Sequence, residues 1–189
     1  MGISVRTRLS LGLIATVMLF AFVLLLGVQQ AHAQSESPVY RFYHQSSGSH
    51  FYTANEAERA YVEATLSHAY TFEGIAYWTA PDWLEAPTAP LHRFYNLRNG
   101  SHFYTISEVE KERVRTTLGD TYRYEGVAYE VFTSGFDAPA TPVYRFYNLR
   151  NGSHFYTGSE VEKTYVRLHY GDVYRYEGIA FYSLSMLFR

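Results

Sequence analysis

The chain has 189 residues, no cysteine and a formal charge of −2, and Tyr and Phe together supply 32 of its residues. The lack of cysteine excludes a disulfide framework and thiol chemistry, and the absence of a basic excess argues against a nucleic-acid surface. A chain of this size can bury one respectable core, and tyrosines can serve that core while their hydroxyls find partners at its edge.

Arg6 and Arg8 precede an apolar run from Leu11 to Val28, followed by Gln29-Gln30 and the small-residue site Ala31-His32-Ala33. That order predicts a signal peptide over 1–33, cut before Gln34. A retained membrane anchor is the alternative, because the run approaches the length of a membrane span. Either way residues 34–189 are expected to be extracellular. Without Arg6 and Arg8 they hold 14 basic and 18 acidic residues, a formal −4.

From Pro38 onward one pattern is written three times, 52 residues apart and without a gap. Pro38-Val39-Tyr40-Arg41-Phe42-Tyr43 returns at Pro90 and at Pro142, and Gly48-Ser49-His50-Phe51-Tyr52-Thr53 returns unchanged at Gly100 and Gly152. Glu73-Gly74-Ile75-Ala76-Tyr77 returns at Glu125 and Glu177. A fixed period of this size predicts one supersecondary unit used repeatedly. The repeats span 38–89, 90–141 and 142–189, within a single domain 34–189.

Within a repeat, Val39 to His44 is a short alternating, aromatic-rich segment and predicts a strand. Asn99-Gly100 and Asn151-Gly152 predict a type I′ hairpin turn, with positive φ at both residues, and Ser47-Gly48 stands at the first copy. Ser49 to Thr53 predicts the returning strand. A helix follows, opened by a capping box: Ser107 with Glu110, Ser159 with Glu162, and Asn55 with Glu58. Ala57, Tyr61, Val62 and Leu66 share one helical face, as do Val109, Val114 and Leu118. Gly119 and Gly171 suit a helix C-terminus. Tyr70 to Thr79, Tyr122 to Phe132 and Tyr174 to Ser183 predict the third strand. The Pro- and Ala-rich connectors each carry an apolar anchor: Leu84, Phe136 and, at the end, Phe188.

The expected fold is therefore α+β and β-dominated, with three ββαβ repeats. They are expected to close as a pseudo-threefold, loosely propeller-like assembly, since an open stack would leave two exposed end faces. A β-trefoil is the alternative, although its repeats are normally all-β.

These motifs resemble a secreted, tyrosine-rich domain-of-unknown-function repeat of bacterial and fungal exported proteins, typically present in three copies. The resemblance covers residues 38–182. It implies an extracellular accessory module, on cell walls or polysaccharides, and supplies neither catalytic residues nor a ligand. The first copy departs from the pattern, with His44-Gln45-Ser46-Ser47 where the others have Asn-Leu-Arg-Asn.

Four polar sets persist through the copies. Arg41, Arg93 and Arg145 lie on the first strand and Glu73, Glu125 and Glu177 on the third, and an Arg–Glu pair would tie the two strands together. Read functionally, the same residues form a polar floor beneath a sugar hydroxyl. His50, His102 and His154 are expected to bond within their own unit, to Glu73 and its equivalents. Three histidines on one axis could hold zinc, but linear spacing alone cannot place them near that axis, and no metal or cofactor is assigned. Glu56, Glu108 and Glu160 complement a helix dipole. Asn99 and Asn151 also fit an N-glycosylation pattern, which the turn reading covers equally well.

An enzyme normally uses its nucleophile and base once, whereas every candidate base here occurs three times. Ser49 and His50 are strand neighbours that point to opposite faces. The expectation is a non-catalytic module that binds carbohydrate or cell-wall polymer through repeated aromatic and polar sites. The candidate ligand contacts are Tyr43, Tyr95, Tyr147, Asn96 and Asn148, with the Arg, His and Glu sets above. Trp78 and Trp83 occur only in the first copy. The alternative is a structural or protein-interaction domain without a small ligand. A monomer is expected, with membrane contact only if the N-terminal segment is kept.

Overall fold

Alternating aromatic segments punctuated by Gly turns give, in a computed structural model, nine strands and three helices among the described residues. Residues 36–135 and 139–185 are described, so the segment 1–33 and the anchors Phe136 and Phe188 lie outside the described residues. The first unit holds β1 (Pro38–His44), β2 (Ser49–Thr53), α1 (Glu56–Thr65) and β3 (Tyr70–Trp78). The second holds β4 (Thr88–Asn96), β5 (His102–Thr105), α2 (Glu108–Thr117) and β6 (Tyr122–Phe132). The third holds β7 (Ala140–Asn148), β8 (His154–Thr157), α3 (Glu160–His169) and β9 (Tyr174–Leu184). The fold is α+β and β-dominated. Its strands form a three-stranded sheet, β2-β1-β3, and a six-stranded sheet, β5-β4-β6-β9-β7-β8. Neither sheet closes into a barrel, and β6 meets β9 only at Phe132 and Tyr182.

In every unit the first strand lies between the other two, and the third strand carries a bulge. The pairing of β1 with β3 runs from Arg41↔Gly74 to Phe42↔Phe72 and skips Glu73. The same skip passes over Glu125 and Glu177. Gly74, Gly126 and Gly178 have φ of 99°, 99° and 105°, a region that side-chain-bearing residues avoid. The bulge re-aims the preceding glutamate.

The hairpin turns differ from the expected type I′. Among the described residues only glycines have positive φ, 66–73° at Gly48, Gly100 and Gly152, and the Gly100 N–H donates to the Asn96 carbonyl. Asn99 keeps an ordinary φ because its side chain serves the turn: Oδ1 accepts from the Ser101 N–H and hydroxyl. Its Nδ2 donates to the Asn151 carbonyl, and Asn151 Nδ2 donates in turn to the Ser47 carbonyl. Gly119 and Gly171 are not in the left-handed region. The helices end instead on the N–H of Leu66, Leu118 and Tyr170, each donating four residues back.

The helix faces are narrower than predicted. Each helix buries one residue, Val62, Val114 or Val166, above a small aromatic cluster such as Phe42, Phe51 and Tyr70. Tyr61 is 59% exposed and Val109 81%, because a ten-residue helix at the edge of a three-stranded sheet touches it along a single line. Half of each capping box forms: the Asn55, Ser107 and Ser159 side chains accept from the N–H of Glu58, Glu110 and Glu162. The reciprocal half does not, because Thr53, Thr105 and Thr157 hydroxyls take the N-cap N–H groups. The three glutamates are thereby free for other partners.

The main core gathers Val39, Leu91 and Val143 with Tyr52, Tyr77, Tyr104, Tyr156 and Phe181. At its centre the second strands meet. These are edge strands, so their outer N–H and C=O groups need partners. Tyr52 Oη donates to the Tyr156 carbonyl at 2.7 Å and accepts from the Tyr156 N–H at 3.0 Å. Tyr104 Oη does the same for Tyr52, at 2.8 and 3.1 Å. Tyr156 Oη does so for Tyr104, at 2.7 and 3.0 Å. Burial pushes all three hydroxyls above the ordinary tyrosine range, so they stay protonated as donors. Trp78 packs in a second cluster with Ala80, Phe132 and Leu184, against which Leu84 rests as expected. Trp83 is 61% exposed.

Candidate functional site

The alternation of β1 puts Val39, Arg41 and Tyr43 on one face, with Val39 toward the main core and the other two further out. Arg41 Nε stands 2.8 Å from Glu73 Oε2. The equivalent Arg93–Glu125 and Arg145–Glu177 contacts are 3.0 and 2.9 Å. The Arg–Glu tie within each unit is therefore present, close but misaligned for a hydrogen bond. His50, His102 and His154 place Nε2 3.3–3.5 Å from the same carboxylate oxygens. Each histidine thus approaches the glutamate of its own unit while its ring lies 4.8–4.9 Å from a phenylalanine of another, and tyrosines fill the main core. Among the described residues no group of three or more His, Asp or Glu is arranged to hold a metal ion.

Sequence reasoning missed the second partner of each arginine. Arg41 forks onto Glu162 of α3, through NH1 at 2.8 Å and NH2 at 3.2 Å. Arg145 forks onto Glu110 of α2 at 2.9 and 3.3 Å, and Arg93 NH1 reaches Glu58 of α1 at 2.9 Å. Each arginine thus binds a carboxylate of its own unit and one of another, and the third unit pairs back with the first. The arginine planes also lie over Phe155, Phe51 and Phe103 of those neighbouring units, 5.6–5.7 Å from the ring centres. The signal that could have revealed this was the charge of an N3 glutamate whose capping role a nearby threonine had already taken.

The electrostatics follow the contacts. Glu125 and Glu177 are held down to about 2, first by His102 and His154, and then by arginines on either side, against the opposing effect of burial. Burial acts most strongly on Glu73 and pushes it up, but His50 and Arg41 together outweigh it and its pKa is lowered.

Tyr95 and Tyr147 are sandwiched. His102 and His154 lie against them, 5.3 and 5.2 Å between centres. Arg123 and Arg175 cover them from 5.1 and 4.9 Å. Tyr43 has His50 at 5.3 Å and Thr71 where the other copies have arginine. Asn96 and Asn148 are buried, and each Oδ1 accepts the N–H of an arginine in the turn, Arg98 or Arg150. Their amides serve the hairpin.

Clefts open where a helix of one unit faces the arginine of another. That between α3 and the first unit has about 420 Å³ and is lined by Arg41, Tyr43, His50, Glu73, Glu162, Tyr165, Tyr170 and Tyr174, among others. Its counterpart between α2 and the third unit has about 160 Å³, with Arg113 and Leu118 at the places of Tyr165 and Tyr170. Tyr61, Tyr165 and Tyr170 are exposed aromatics on or beside the helices.

Fold and clefts together define a β-dominated α+β domain. A family model, Domain of unknown function (DUF5648), matches residues 38–184, and the chain belongs to that family. No curated protein matches, and no solved structure does. Among the described residues no helix is long and apolar enough to cross a membrane.

Proposed function

We propose that this is a secreted, non-catalytic module that binds a carbohydrate or cell-wall polymer in the clefts between its units. We further propose that the three units close on one another as a pseudo-threefold, loosely propeller-like ring. The return of Arg41 to Glu162 and the circuit of tyrosine hydrogen bonds support the ring. The helix in every unit sets it apart from a β-trefoil.

The observation that carries the binding reading is the α3 cleft, where exposed tyrosines stand over a charged floor. Sugar rings stack on exposed aromatic faces, while arginine and carboxylate groups bond their hydroxyls. Tyr165 and Tyr170 supply the faces and Arg41, Glu73 and Glu162 the floor. Tyr61 gives the α1 side a second exposed ring. Repeated weak sites gain avidity on a polymer that itself repeats.

The test is retention of the purified protein on insoluble peptidoglycan, chitin and cellulose, read as loss from the supernatant. Selective retention on one of them is expected, reversed by its soluble fragments. Tyr61→Ala with Tyr165→Ala should abolish it while leaving the far-UV spectrum and melting temperature unchanged, because both rings are exposed. A folded protein retained by none of the polymers would overturn the reading in favour of a protein-interaction domain.

A further inference from the structure

The three units differ at one position in a way that opens a site. In the second unit Arg123 lies over the Tyr95 ring and its NH2 is 3.2 Å from Glu125 Oε1. In the third unit Arg175 lies over Tyr147 and reaches Glu177 Oε1 at 3.1 Å. Each is a guanidinium held between a tyrosine face and a carboxylate, a pairing that favours arginine over other cations. The first unit keeps the tyrosine and the carboxylate, Tyr43 and Glu73, but has Thr71 in place of the arginine. Thr71 Oγ1 accepts from the exposed Gln45 side chain, and among the described residues no cation covers Tyr43.

The consequences are visible around it. The Glu73 side chain is 28% exposed, against 17% for both Glu125 and Glu177. Tyr43 lines the larger cleft. The charge balance of that cleft also differs. One guanidinium faces two carboxylates there, whereas in the α2 cleft Arg113 adds a second. Arg41 does not forbid another guanidinium beside Glu73, since Arg93 and Arg145 tolerate Arg123 and Arg175 at the same place.

We infer that the Tyr43–Glu73 pair is a binding site for a guanidinium group from outside the chain, seated as Arg123 and Arg175 are seated inside it. It goes beyond polymer binding and does not depend on it. The ligand is an arginine side chain of another polypeptide or a small guanidinium compound. Its cation stacks on Tyr43 and one N–H donates to Glu73 Oε1.

The probe is Nα-acetyl-L-arginine methylamide, titrated into the full chain by NMR. The neutral citrulline analogue, the lysine analogue and free L-arginine serve as comparisons. Saturable binding at one equivalent is expected, with the citrulline analogue about tenfold weaker or worse, since it keeps the shape and loses the charge. Thr71→Arg should abolish binding without harming the fold, because two units already carry arginine there. Arg175→Thr should open a second site and double the stoichiometry. A preference for the capped arginine over free L-arginine identifies a polypeptide as the source, and the reverse identifies a small molecule. No saturable binding overturns the inference. So does binding that survives Thr71→Arg, or equal binding of the citrulline or lysine analogue. Polymer retention of Thr71→Arg, measured separately, keeps this outcome distinct from that of the carbohydrate reading.

Discussion

At the scale of the residue, most of the chemistry rests in groups that satisfy two demands at once. Tyr104 shows it: one hydroxyl serves both the N–H and the carbonyl of Tyr52, on a buried strand edge that has no neighbouring strand. Tyr104→Phe keeps the ring and removes that service, stranding a buried donor and acceptor. The expected loss is about 1–3 kcal/mol, read from urea unfolding midpoints. An unchanged midpoint would mean that the hydroxyl contributes nothing net. Glu125 and Glu177 carry a second demand, with His102 or His154 on one side and arginines on the other. Their pKa values are about 2 in the folded chain and near the ordinary carboxylate value when unfolded. Depressed values stabilise the fold above the unfolded pKa, and that contribution is lost as pH falls through the folded pKa. Stability should therefore decline between about pH 4.5 and 2. In Glu125→Gln with Glu177→Gln the decline should be visibly shallower, when unfolding is followed across that range.

At the scale of the element, the bulge in each third strand decides where the charge goes. Gly126 sits at φ 99° and a Cβ there would touch nothing within 4 Å. Gly126→Ala should therefore cost backbone strain alone, about 1–3 kcal/mol, with no cavity or clash to repair. A melting curve matching the parent would show that the bulge can relax without moving Glu125. The hairpins, helices and strands themselves were readable in the sequence, because identical strings recur with turn and cap residues at fixed offsets. Leu84 was also legible as an anchor. The exposure of Tyr61 was not: a 3.6-residue period says which residues share a face, but not how much of that face a narrow sheet can cover. Nor was the fate of Glu58, Glu110 and Glu162, which fit a capping box on paper. A threonine just upstream satisfies the N-cap instead, and no spacing within one copy encodes an arginine supplied by another. The tyrosine circuit was hidden for the same reason. The Thr71 difference, by contrast, stood open in the alignment of the three copies and gained meaning only once Arg123 and Arg175 were seen to lie on tyrosines.

At the scale of the whole molecule, the contacts that matter most join the units. Each unit alone is a three-stranded sheet with a short helix, and such a sheet buries too little to stand by itself. The second strand of each unit has its edge N–H and carbonyl served by a tyrosine of another unit. Each arginine likewise leans on a carboxylate and a phenylalanine from outside its own unit. A chain ending at Thr141 would lack Tyr156, Phe155 and Glu162. Tyr52 Oη would lose both its partners, the Tyr104 backbone would lose its hydroxyl, and Arg41 would keep only Glu73. Val39 and Leu91 would also lose part of the core that they share with Val143 and Phe181. The expected outcome is a fragment that does not fold, rather than a stable two-unit piece, since a repeat array that only stacks would lose stability in steps. The matching expectation for the intact chain is a single transition, with far-UV and near-UV signals coincident in denaturant. A fragment ending at Thr141 with native-like near-UV dichroism and a cooperative melt would show that the units stack as independent neighbours. In that case the tyrosine circuit would be a consequence of their assembly and not a condition of their folding.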